Sequence, residues 1–454
     1  MRHRFGVGMH RREVVQAGFT GLLGLSLADV MAARAASSAA PATLSARVGG
    51  PKAKSVILVF LTGGPPHQDM WDIDMNRPAE VRGETKSIKT NVPGIEISEH
   101  LPLMAKIADR YSIIRSMHHS TNEHEFGTHL MLTGVDQLPP NSRFFATRAD
   151  WPAMGSIVNW ARPSGNGLPS SVILPTYLNN GYGFSGQNGG IMGSRYDPWV
   201  ITNDPSKPDF RVPDLQPAPG ISVDRLGHRR ALLDRIDRNR RDLDSMVEVR
   251  QLSESTGKAF TTLTSAQTRD AFDLSKEPKE LRERYGMHLF GQSLLLARRL
   301  AESGVGLIQA NMGAMNNWDT HGDNWNQLKN RLLPPLDKGV SALLEDLSTR
   351  GMLDETLVIV VGEFGRTPKV NQTAGRDHWG GVFSAVWSGG GVQGGRIIGK
   401  SDKEAAYPDG DGYLPSDVSA TVFSALGISP DAQFHDLQDR PFPVTTGKVI
   451  APLF

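Results

Sequence analysis

Residues 357–361 read LVIVV and lead directly into residues 362–381, which read GEFGRTPKVNQTAGRDHWGG. The first run is continuous, apolar and mostly β-branched, which is typical of a strand buried on both faces of a parallel sheet. Open α/β sheets bind ligands in the crevice beyond the carboxyl ends of their strands. The second run carries Glu363, Asp377 and His378, so we predict a ligand site directly after this strand.

The rest of the chain alternates strand patterns with helix patterns. Strands are predicted at 54–61, 111–115, 305–310 and 383–387, and helices at 101–110, 223–251, 289–303, 328–348 and 416–426. Parallel strands need long crossover connections, which are usually helices. The alternation therefore predicts an α/β fold with a doubly wound, mostly parallel sheet sandwiched by helices. Residues 135–222 are rich in Pro and Gly and are predicted to be long inserted loops over the active-site end of the sheet.

Composition excludes several classes of site and partner. The net charge is +1, which argues against nucleic acid or an acidic membrane surface as a partner. The chain has no cysteine, so disulfides, thiolate metal sites and cysteine nucleophiles are excluded. Any metal ion must be held by nitrogen or oxygen ligands.

The N-terminal segment predicts export. Arg11 and Arg12 precede a moderately apolar stretch, residues 17–28, and small-residue cleavage motifs follow at 33–35 and 40–42. This order is typical of a twin-arginine signal, which we place at residues 1–42, and it predicts a periplasmic or extracellular protein. The apolar stretch is too short for a spanning helix, so no permanent membrane span is expected. We interpret 43–53 as a linker and 54–454 as a single domain.

Polar clusters follow four of the predicted strands. Their members are His67 and Asp69, His124, Asp319 and His321, and Glu363 with Asp377 and His378. The carboxyl ends of parallel strands meet at one edge of a sheet, so we expect these side chains to converge on a divalent metal ion. Zinc, manganese, calcium and magnesium all remain open for such ligands. Two ions ~3.5 to 4 Å apart could clamp the attacking and leaving oxygens of a displacement at phosphorus or sulfur.

Two arginines in the same region suit an anionic substrate. Arg366 and Arg376 could each make paired contacts with a tetrahedral oxyanion, although Arg366 could equally be the ion-pair partner of Glu363. Glu363 comes two residues after a buried strand, where an unpaired charge is costly, so we expect it to be ligated, paired or exposed in a cleft. Asp319 and His321 could instead belong to a turn that caps the following helix.

Several stretches of the chain together resemble a known family. They are residues 55–72 (SVILVFLTGGPPHQDMWD), 127–134 (GTHLMLTG), 318–324 (WDTHGDN), 362–368 (GEFGRTP), 375–381 (GRDHWGG) and 406–428 (AYPDGDGYLPSDVSATVFSALGI). With the twin-arginine start, they resemble the exported family catalogued as domain of unknown function 1501. That family is similar to sulfatases and to the alkaline phosphatase superfamily, which hydrolyse sulfate or phosphate esters with metal ions at the C-terminal end of a parallel sheet.

The resemblance also assigns a role to His124. In sulfatases and related phosphodiesterases the nucleophile begins a helix that ends in LTG, as residues 132–134 do. The same spacing leads to His124, where no Ser, Thr or Cys stands. His124 is therefore expected to be a metal ligand or, as the alternative, a histidine nucleophile.

Other positions match the superfamily pattern in part. Its Asp-His pair after a late core strand corresponds to Glu363 and Phe364, so one ligand is kept in type and the other is replaced by an apolar ring. Its late histidine resembles His378, and its mid-chain Asp/His pair resembles Asp319 and His321 with altered spacing. The acidic residue at the end of its first strand is missing, and His67 or Asp69 would have to substitute for it.

These observations lead to three hypotheses of function. The first is an exported, metal-dependent hydrolase of sulfate or phosphate esters, on small or polysaccharide substrates, with metal-activated water as the nucleophile. The second is a non-catalytic, sulfatase-like scaffold that binds an anionic glycan or an envelope protein partner, which the missing nucleophile favours. The third, a metal-dependent isomerase or mutase, is less favoured because export separates it from phosphorylated metabolites.

Overall fold

A central sheet of eight strands organises the chain. The structure, a computed structural model, describes residues 53–136, 145–164, 167–212, 265–313 and 317–454, together with Arg225 and His228. The strands are β1 (Ser55–Phe60), β2 (Ser87–Lys89), β3 (Glu96–Ser98), β4 (Tyr111–Met117), β5 (Ser171–Leu174), β6 (Trp199–Val200), β7 (Leu307–Asn311), β8 (Thr356–Val361), β9 (Gly365–Arg366), β10 (His378–Trp379), β11 (Phe383–Ser388), β12 (Arg396–Ile398), β13 (Gln433–His435) and β14 (Pro441–Pro443).

The strand order of the central sheet is β12-β4-β11-β8-β1-β7-β5-β6. Strand β11 runs antiparallel to both of its neighbours, and the other described pairings of this sheet are parallel. The predicted doubly wound, mostly parallel α/β fold is therefore confirmed, with one antiparallel strand inside it.

Helices cover both faces of this sheet. They are α1 (Ala79–Arg82), α2 (Pro102–Ala105), α3 (His124–Thr133), α4 (Met154–Ala161), α5 (Ala266–Phe272), α6 (Lys279–Tyr285), α7 (Leu289–Glu302), α8 (Asn324–Gln327), α9 (Leu333–Thr349) and α10 (Pro415–Ala425), with a π-helical turn at Leu328–Leu332. Short 3-10 turns lie at His67–Asp69, Ala108–Arg110, Gly190–Met192, Ser194–Tyr196, Leu274–Lys276, Leu353–Glu355 and Ala451–Leu453.

Strand β1 shows how one run of sequence supplies two cores. All six of its residues are buried. Ile57 and Val59 join the apolar cluster that includes α7 and α9, whereas Val56 and Leu58 join the cluster that includes α3, α4 and α10. Because successive side chains of a strand point to opposite faces, an unbroken apolar run is what a sheet covered on both sides requires.

The prediction for residues 135–222 was wrong in part. This interval contains α4 and two strands of the central sheet, β5 and β6, rather than loops alone. Strand β5 has only four residues, all of them buried, and it pairs with β7. A strand this short gives no periodic signal between Pro- and Gly-rich stretches, so its assignment depends on tertiary pairing.

Other helix boundaries differ from those expected from the sequence. The helix expected at 101–110 is a short helix, α2, followed by a separate 3-10 turn. The kink expected near Pro334 is instead a change of helix type, with the π-helical turn ending where α9 begins. The predicted signal, nearly all of the predicted linker and most of the predicted helix at 223–251 lie outside the described residues. Within the described ranges, no helix combines the length and the apolarity that crossing a bilayer needs.

Candidate metal centre

The candidate centre lies where β1, β7 and β8 end side by side. Phe60, the last residue of β1, pairs with Asn311 at the end of β7 and with Val361 at the end of β8. The loops after these three strands therefore start at one edge of the sheet. The small antiparallel pair of β9 and β10 follows β8 and places His378 opposite Arg366. The segments that follow β7 and β8 carry Asp319, His321, Glu363, Asp377 and His378.

Three ligand-type atoms converge at this edge. The Nε2 atoms of His321 and His378 are 2.9 Å apart. Asp319 Oδ1 lies 3.0 Å from His321 Nε2 and 3.1 Å from His378 Nε2. Two imidazole nitrogens and one carboxylate oxygen thus form a nearly equilateral triangle.

The partners of the two rings determine which nitrogens carry protons. His378 Nδ1 lies 2.8 Å from the carbonyl oxygen of Asn122, which can only accept, so Nδ1–H must donate. His321 Nδ1 lies 2.7 Å from Asp377 Oδ1, which likewise accepts. In the neutral rings both Nε2 atoms then carry a lone pair instead of a proton, and these lone pairs face each other and Asp319. Three acceptors this close repel one another unless a proton or a metal ion lies between them.

His124 lies next to Asp319 and His378 as well. Its Nδ1 donates to Glu363 Oε1 at 2.7 Å, and its Nε2 lies 3.3 Å from Asp319 Oδ2 without making a hydrogen bond. Ligand atoms of His124, Asp319 and His378 all lie within 4.8 Å of one another. Burial alone would lower the pKa of His124, but the neighbouring carboxylates of Asp319 and Glu363 raise it to about 9. The site therefore favours positive charge.

The donor set fits a divalent cation. Tetrahedral ligands ~2.0 to 2.2 Å from a zinc ion are roughly 3.3 to 3.6 Å apart, and the triangle has sides of 2.9 to 3.1 Å. Three imidazoles with one carboxylate suit zinc or manganese better than calcium, which prefers oxygen ligands only. His124, Asp319, His321 and His378 are thus the residues that would hold the ion.

Glu363 and Asp377 were predicted as direct ligands, but the structure places them behind the ligands. Each carboxylate accepts a hydrogen bond from Nδ1 of a ligand histidine, Glu363 from His124 and Asp377 from His321. The hydrogen bond from His321 lowers the pKa of Asp377. Such outer partners fix the tautomer and the ring orientation of metal-bound histidines. Glu363 keeps its second oxygen, Oε2, buried without a hydrogen-bond partner among the described residues.

Arg366 was predicted to contact a substrate oxyanion, and the structure contradicts this. Its side chain is fully buried, and it donates to the carbonyls of Gly63, Gly64 and Arg376 as well as to Asp319 Oδ1, at 2.6 Å. Burial alone would raise the pKa of Asp319, but its histidine partners and Arg366 hold that pKa well below its ordinary range. Arg366 therefore orients a ligand, and its fully buried guanidinium is not exposed to a substrate.

Asp69 and Arg376 pair with each other instead of joining the centre. Both side chains are fully buried, and Arg376 Nε and Nη2 donate to the two oxygens of Asp69 at 2.8 and 3.2 Å. Asn324 and Trp325 donate to the same carboxylate, at 2.9 and 3.2 Å. The predicted roles of Asp69 as a metal ligand and Arg376 as an anion contact are thus replaced by a buried structural ion pair.

His67, another predicted ligand, is also away from the centre. Its Nε2–H donates to the carbonyl of Ala405 at 3.1 Å, and its Nδ1 is buried without a hydrogen-bond partner. Burial, together with the charges of Arg77 and Arg376, lowers the pKa of His67 to about 3. The ring is therefore neutral in the folded protein and acts as part of the packing.

Acidification is expected to destabilise the protein partly through His67. The unfolded chain takes up a proton near pH 6.5 and the folded chain only near pH 3, so stability is complete above the first value and falls between the two. The loss from this residue is about 2 kcal/mol between neutral pH and about pH 5. Urea unfolding at several pH values should show a smaller acid-induced loss in His67→Gln than in the wild type. Equal losses in both proteins would contradict the prediction.

Phe364 separates the centre from the loop after β1. Its ring is fully buried and lies 5.0 Å from the ring of His124 and 4.9 Å from that of His378, between ring centroids. Gly64, at φ +75°, lets the β1 loop approach, since a Cβ there would lie 2.4 Å from the Phe364 ring. An apolar ring thus packs against two of the candidate ligand histidines. Among the described residues, His124, Asp319 and His378 have ligand atoms within 4.8 Å of one another, and His321 lies beside Asp319 and His378.

Two contributors to the centre could not be identified from side chains. The carbonyl of Asn122 fixes the tautomer of His378, and the N–H of Gly63 donates to Glu363 Oε1 at 2.7 Å. Both are backbone groups, so the residue types at these positions do not predict their role. The position of Gly63 directly after a buried strand was the available hint.

Solved structures similar to this chain cover most of its length at low identity. They include Ps i-CgsB in complex with k-i-k-neocarrahexaose, with 13% identity, 84% of this chain and 72% of that chain covered, and a TM-score of 0.37. The PsFucS1 sulfatase from Pseudoalteromonas sp. shows 11% identity, coverages of 84% and 68%, and a TM-score of 0.37. The phosphonate monoester hydrolase SpPMH from Silicibacter pomeroyi shows 10% identity, coverages of 88% and 76%, and a TM-score of 0.35. Similarity at this level identifies no activity.

Sequence comparisons give a definite family. No curated protein matches the sequence of this chain. The family profile described as "Protein of unknown function (DUF1501)" matches residues 53–454, which is nearly everything after the predicted signal. The chain therefore belongs to the DUF1501 family, as its sequence stretches indicated.

Proposed function

We propose that the protein is an exported, metal-dependent hydrolase of sulfate or phosphate esters. The observation that carries this proposal is the convergence of Asp319 Oδ1 with the Nε2 lone pairs of His321 and His378. A bound divalent cation would polarise an ester oxygen and acidify a water molecule, which supplies a nucleophile without Ser or Cys. His124, at the start of α3, would be the fourth group holding that ion.

The surrounding residues prepare the centre rather than react in it. Glu363 and Asp377 hold Nδ1–H of their histidines, so that each Nε2 lone pair points inward. Arg366 fixes Asp319, and Phe364 shields the rings of His124 and His378 from water. Preorganised ligands of this kind need little rearrangement when an ion or a substrate binds.

The cavity beside β10 supports a substrate in which the ester group is attached to a saccharide. This cavity, of about 660 Å³, is lined by His119, Tyr407, Ser416 and Thr446, among others. Tyr407 is 55% exposed, and its ring stands edge-on to Trp379, the residue after His378, at 5.5 Å between centroids. An exposed aromatic face beside hydroxyl groups suits the apolar face and the hydroxyls of a sugar ring.

A second function, a non-catalytic binder of anionic glycans, is favoured by two specific observations. No Ser, Thr or Cys begins α3, and the two arginines predicted to hold an oxyanion are both occupied within the protein. In this alternative the cavity beside β10 would bind a glycan that the protein does not cleave.

Metal removal distinguishes the two functions. The full chain should release sulfate or phosphate from 4-nitrophenyl sulfate or 4-nitrophenyl phosphate, lose this activity after chelation, and regain it with one of zinc, manganese, calcium or magnesium. A mock-treated sample is the control. Binding of sulfated glycans without turnover, unchanged by chelation, would establish the binder. Lack of any bound divalent ion in protein purified without chelator would contradict the hydrolase.

A further inference from the structure

A second cavity lies at the end of β7, with no member of the metal centre among its lining residues. It has a volume of about 530 Å³ and opens between the start of α7 and the start of α9. Its walls are mainly apolar and include Leu289, Phe290, Met312, Leu332, Pro334 and Pro335. Cavities of this size and character are typical of small-molecule sites.

The charged groups of this cavity are all basic. Arg331 and Lys338 line it, with His288 as a neutral neighbour and no acidic residue. Arg331 donates to Asn317 and Gln327, which are uncharged amides. Among the described residues, no carboxylate oxygen lies within 4.0 Å of either cation, although exposed arginines elsewhere, such as Arg148, have one.

Lys338 and His288 face the same space. Burial, followed by the charge of Lys338, lowers the pKa of His288. Nδ1 of His288 accepts from the N–H of Gly291 at 3.1 Å, so the proton of the neutral ring is on Nε2. The cavity therefore combines two uncompensated positive charges with a neutral imidazole and leaves the negative partner to a ligand.

The backbone keeps the apolar wall in place. Pro334 and Pro335 lack an N–H, so they cannot satisfy the carbonyls of the preceding turn in the ordinary helical pattern. The chain forms a π-helical turn there, Leu328–Leu332, which carries Arg331. Such turns are frequent at functional sites. The two prolines and Arg331 thus line the same cavity.

We propose that this cavity binds an amphiphilic monoanion of the medium-chain fatty-acid class. The carboxylate would lie between Arg331 and Lys338, and the alkyl chain would pack on Leu289, Phe290 and Pro335. Charge complementarity favours an anionic head group, since two exposed cations and no acidic residue line the cavity. The mainly apolar wall favours burial of the alkyl chain of the ligand. This site does not depend on the hydrolase proposal.

Calorimetric titration of the full chain with decanoate tests the proposal, with decanol as the neutral probe of equal chain length. Decanoate should bind, and decanol should bind about fivefold more weakly, since an exposed ion pair contributes up to roughly fivefold. The Arg331→Gln/Lys338→Gln variant should weaken decanoate binding by about that factor without changing decanol binding. Lys403→Gln, which removes an exposed lysine elsewhere, is the matched control and should change neither.

Raising the salt concentration should weaken decanoate binding alone, because screening acts on the charged head group. Equal binding of decanol and decanoate by the wild type would overturn the proposal, since it would reduce the cavity to an unspecific apolar surface. Absence of decanoate binding, or unchanged binding in the double variant, would overturn it as well. The comparison of the two probes on the wild type needs no variant to fold.

Discussion

Replacing His378 by alanine is expected to lower the affinity for a divalent metal ion by more than about 100-fold. Removal of an outer partner typically costs about 10- to 100-fold, and His378 supplies a ligand atom itself. Its Nε2 is one corner of the triangle with Asp319 Oδ1 and His321 Nε2, so the remaining acceptors would hold an ion with fewer bonds. Elemental analysis of purified protein and calorimetric titration of the metal-free form with zinc would measure the change.

Two matched variants make this result specific. Asp377→Asn leaves the triangle intact but weakens the hold on His321, so we expect about a 10- to 100-fold loss of affinity. His435→Ala removes an exposed histidine of β13 and should leave metal binding unchanged. Wild-type affinity in His378→Ala, or an equal loss in His435→Ala, would show that the triangle is not a metal site.

The sequence predicts the fold well where apolar runs are long. Strands β1 and β8 are six-residue buried runs, and their patterns alone give a sheet covered on both sides. Strand β5 is a buried run of four residues whose place in the sheet depends on its pairing with β7. The antiparallel direction of β11 likewise depends on the path of the chain, and the residue types of this strand do not indicate it.

The candidate centre is predicted from the sequence in composition but not in detail. His321 and His378 are 57 positions apart, and the β7 loop and β10 bring them together. Sequence shows an arginine near acidic residues, but it does not show where the donors point. Arg366 and Arg376 carry the residue type that an oxyanion site needs, yet both donate to backbone carbonyls and to Asp319 or Asp69. Only the folded backbone reveals that both are buried supports.

The burial of both arginines affects how the proposed centre could act on an ester. No Arg side chain is available at the centre from the two predicted positions, so charge on a transferring sulfuryl or phosphoryl group would be balanced by the bound cation and by the histidines that hold it. The proposed hydrolase thus depends on its metal ion more completely than a site with a free arginine would. Metal-free protein should accordingly retain no residual ester hydrolysis.

The buried pair of Asp69 and Arg376 gives the largest expected change in stability. Arg376→Met should lower the free energy of unfolding by about 3 to 5 kcal/mol, because it leaves Asp69 as an uncompensated buried charge. Arg376 also donates to the carbonyls of Thr367, Pro368 and Val81, which would lose their partner. Urea unfolding at constant m-value would measure the loss as a lower midpoint.

A double-mutant cycle isolates the pair and separates it from the metal centre. Asp69→Asn combined with Arg376→Met should destabilise less than the sum of the single changes, with a coupling of about 1 to 3 kcal/mol. Arg148→Met is the matched control, because Arg148 makes a two-point contact with Asp197 at 2.6 and 2.8 Å but is largely exposed. Such exposed pairs contribute roughly 0 to 1 kcal/mol. If Arg376→Met cost no more than Arg148→Met, the expected contribution of the buried pair to stability would be wrong. If folded Asp69→Asn failed to bind a metal ion that the wild type binds, Asp69 would have to be reassigned as a ligand.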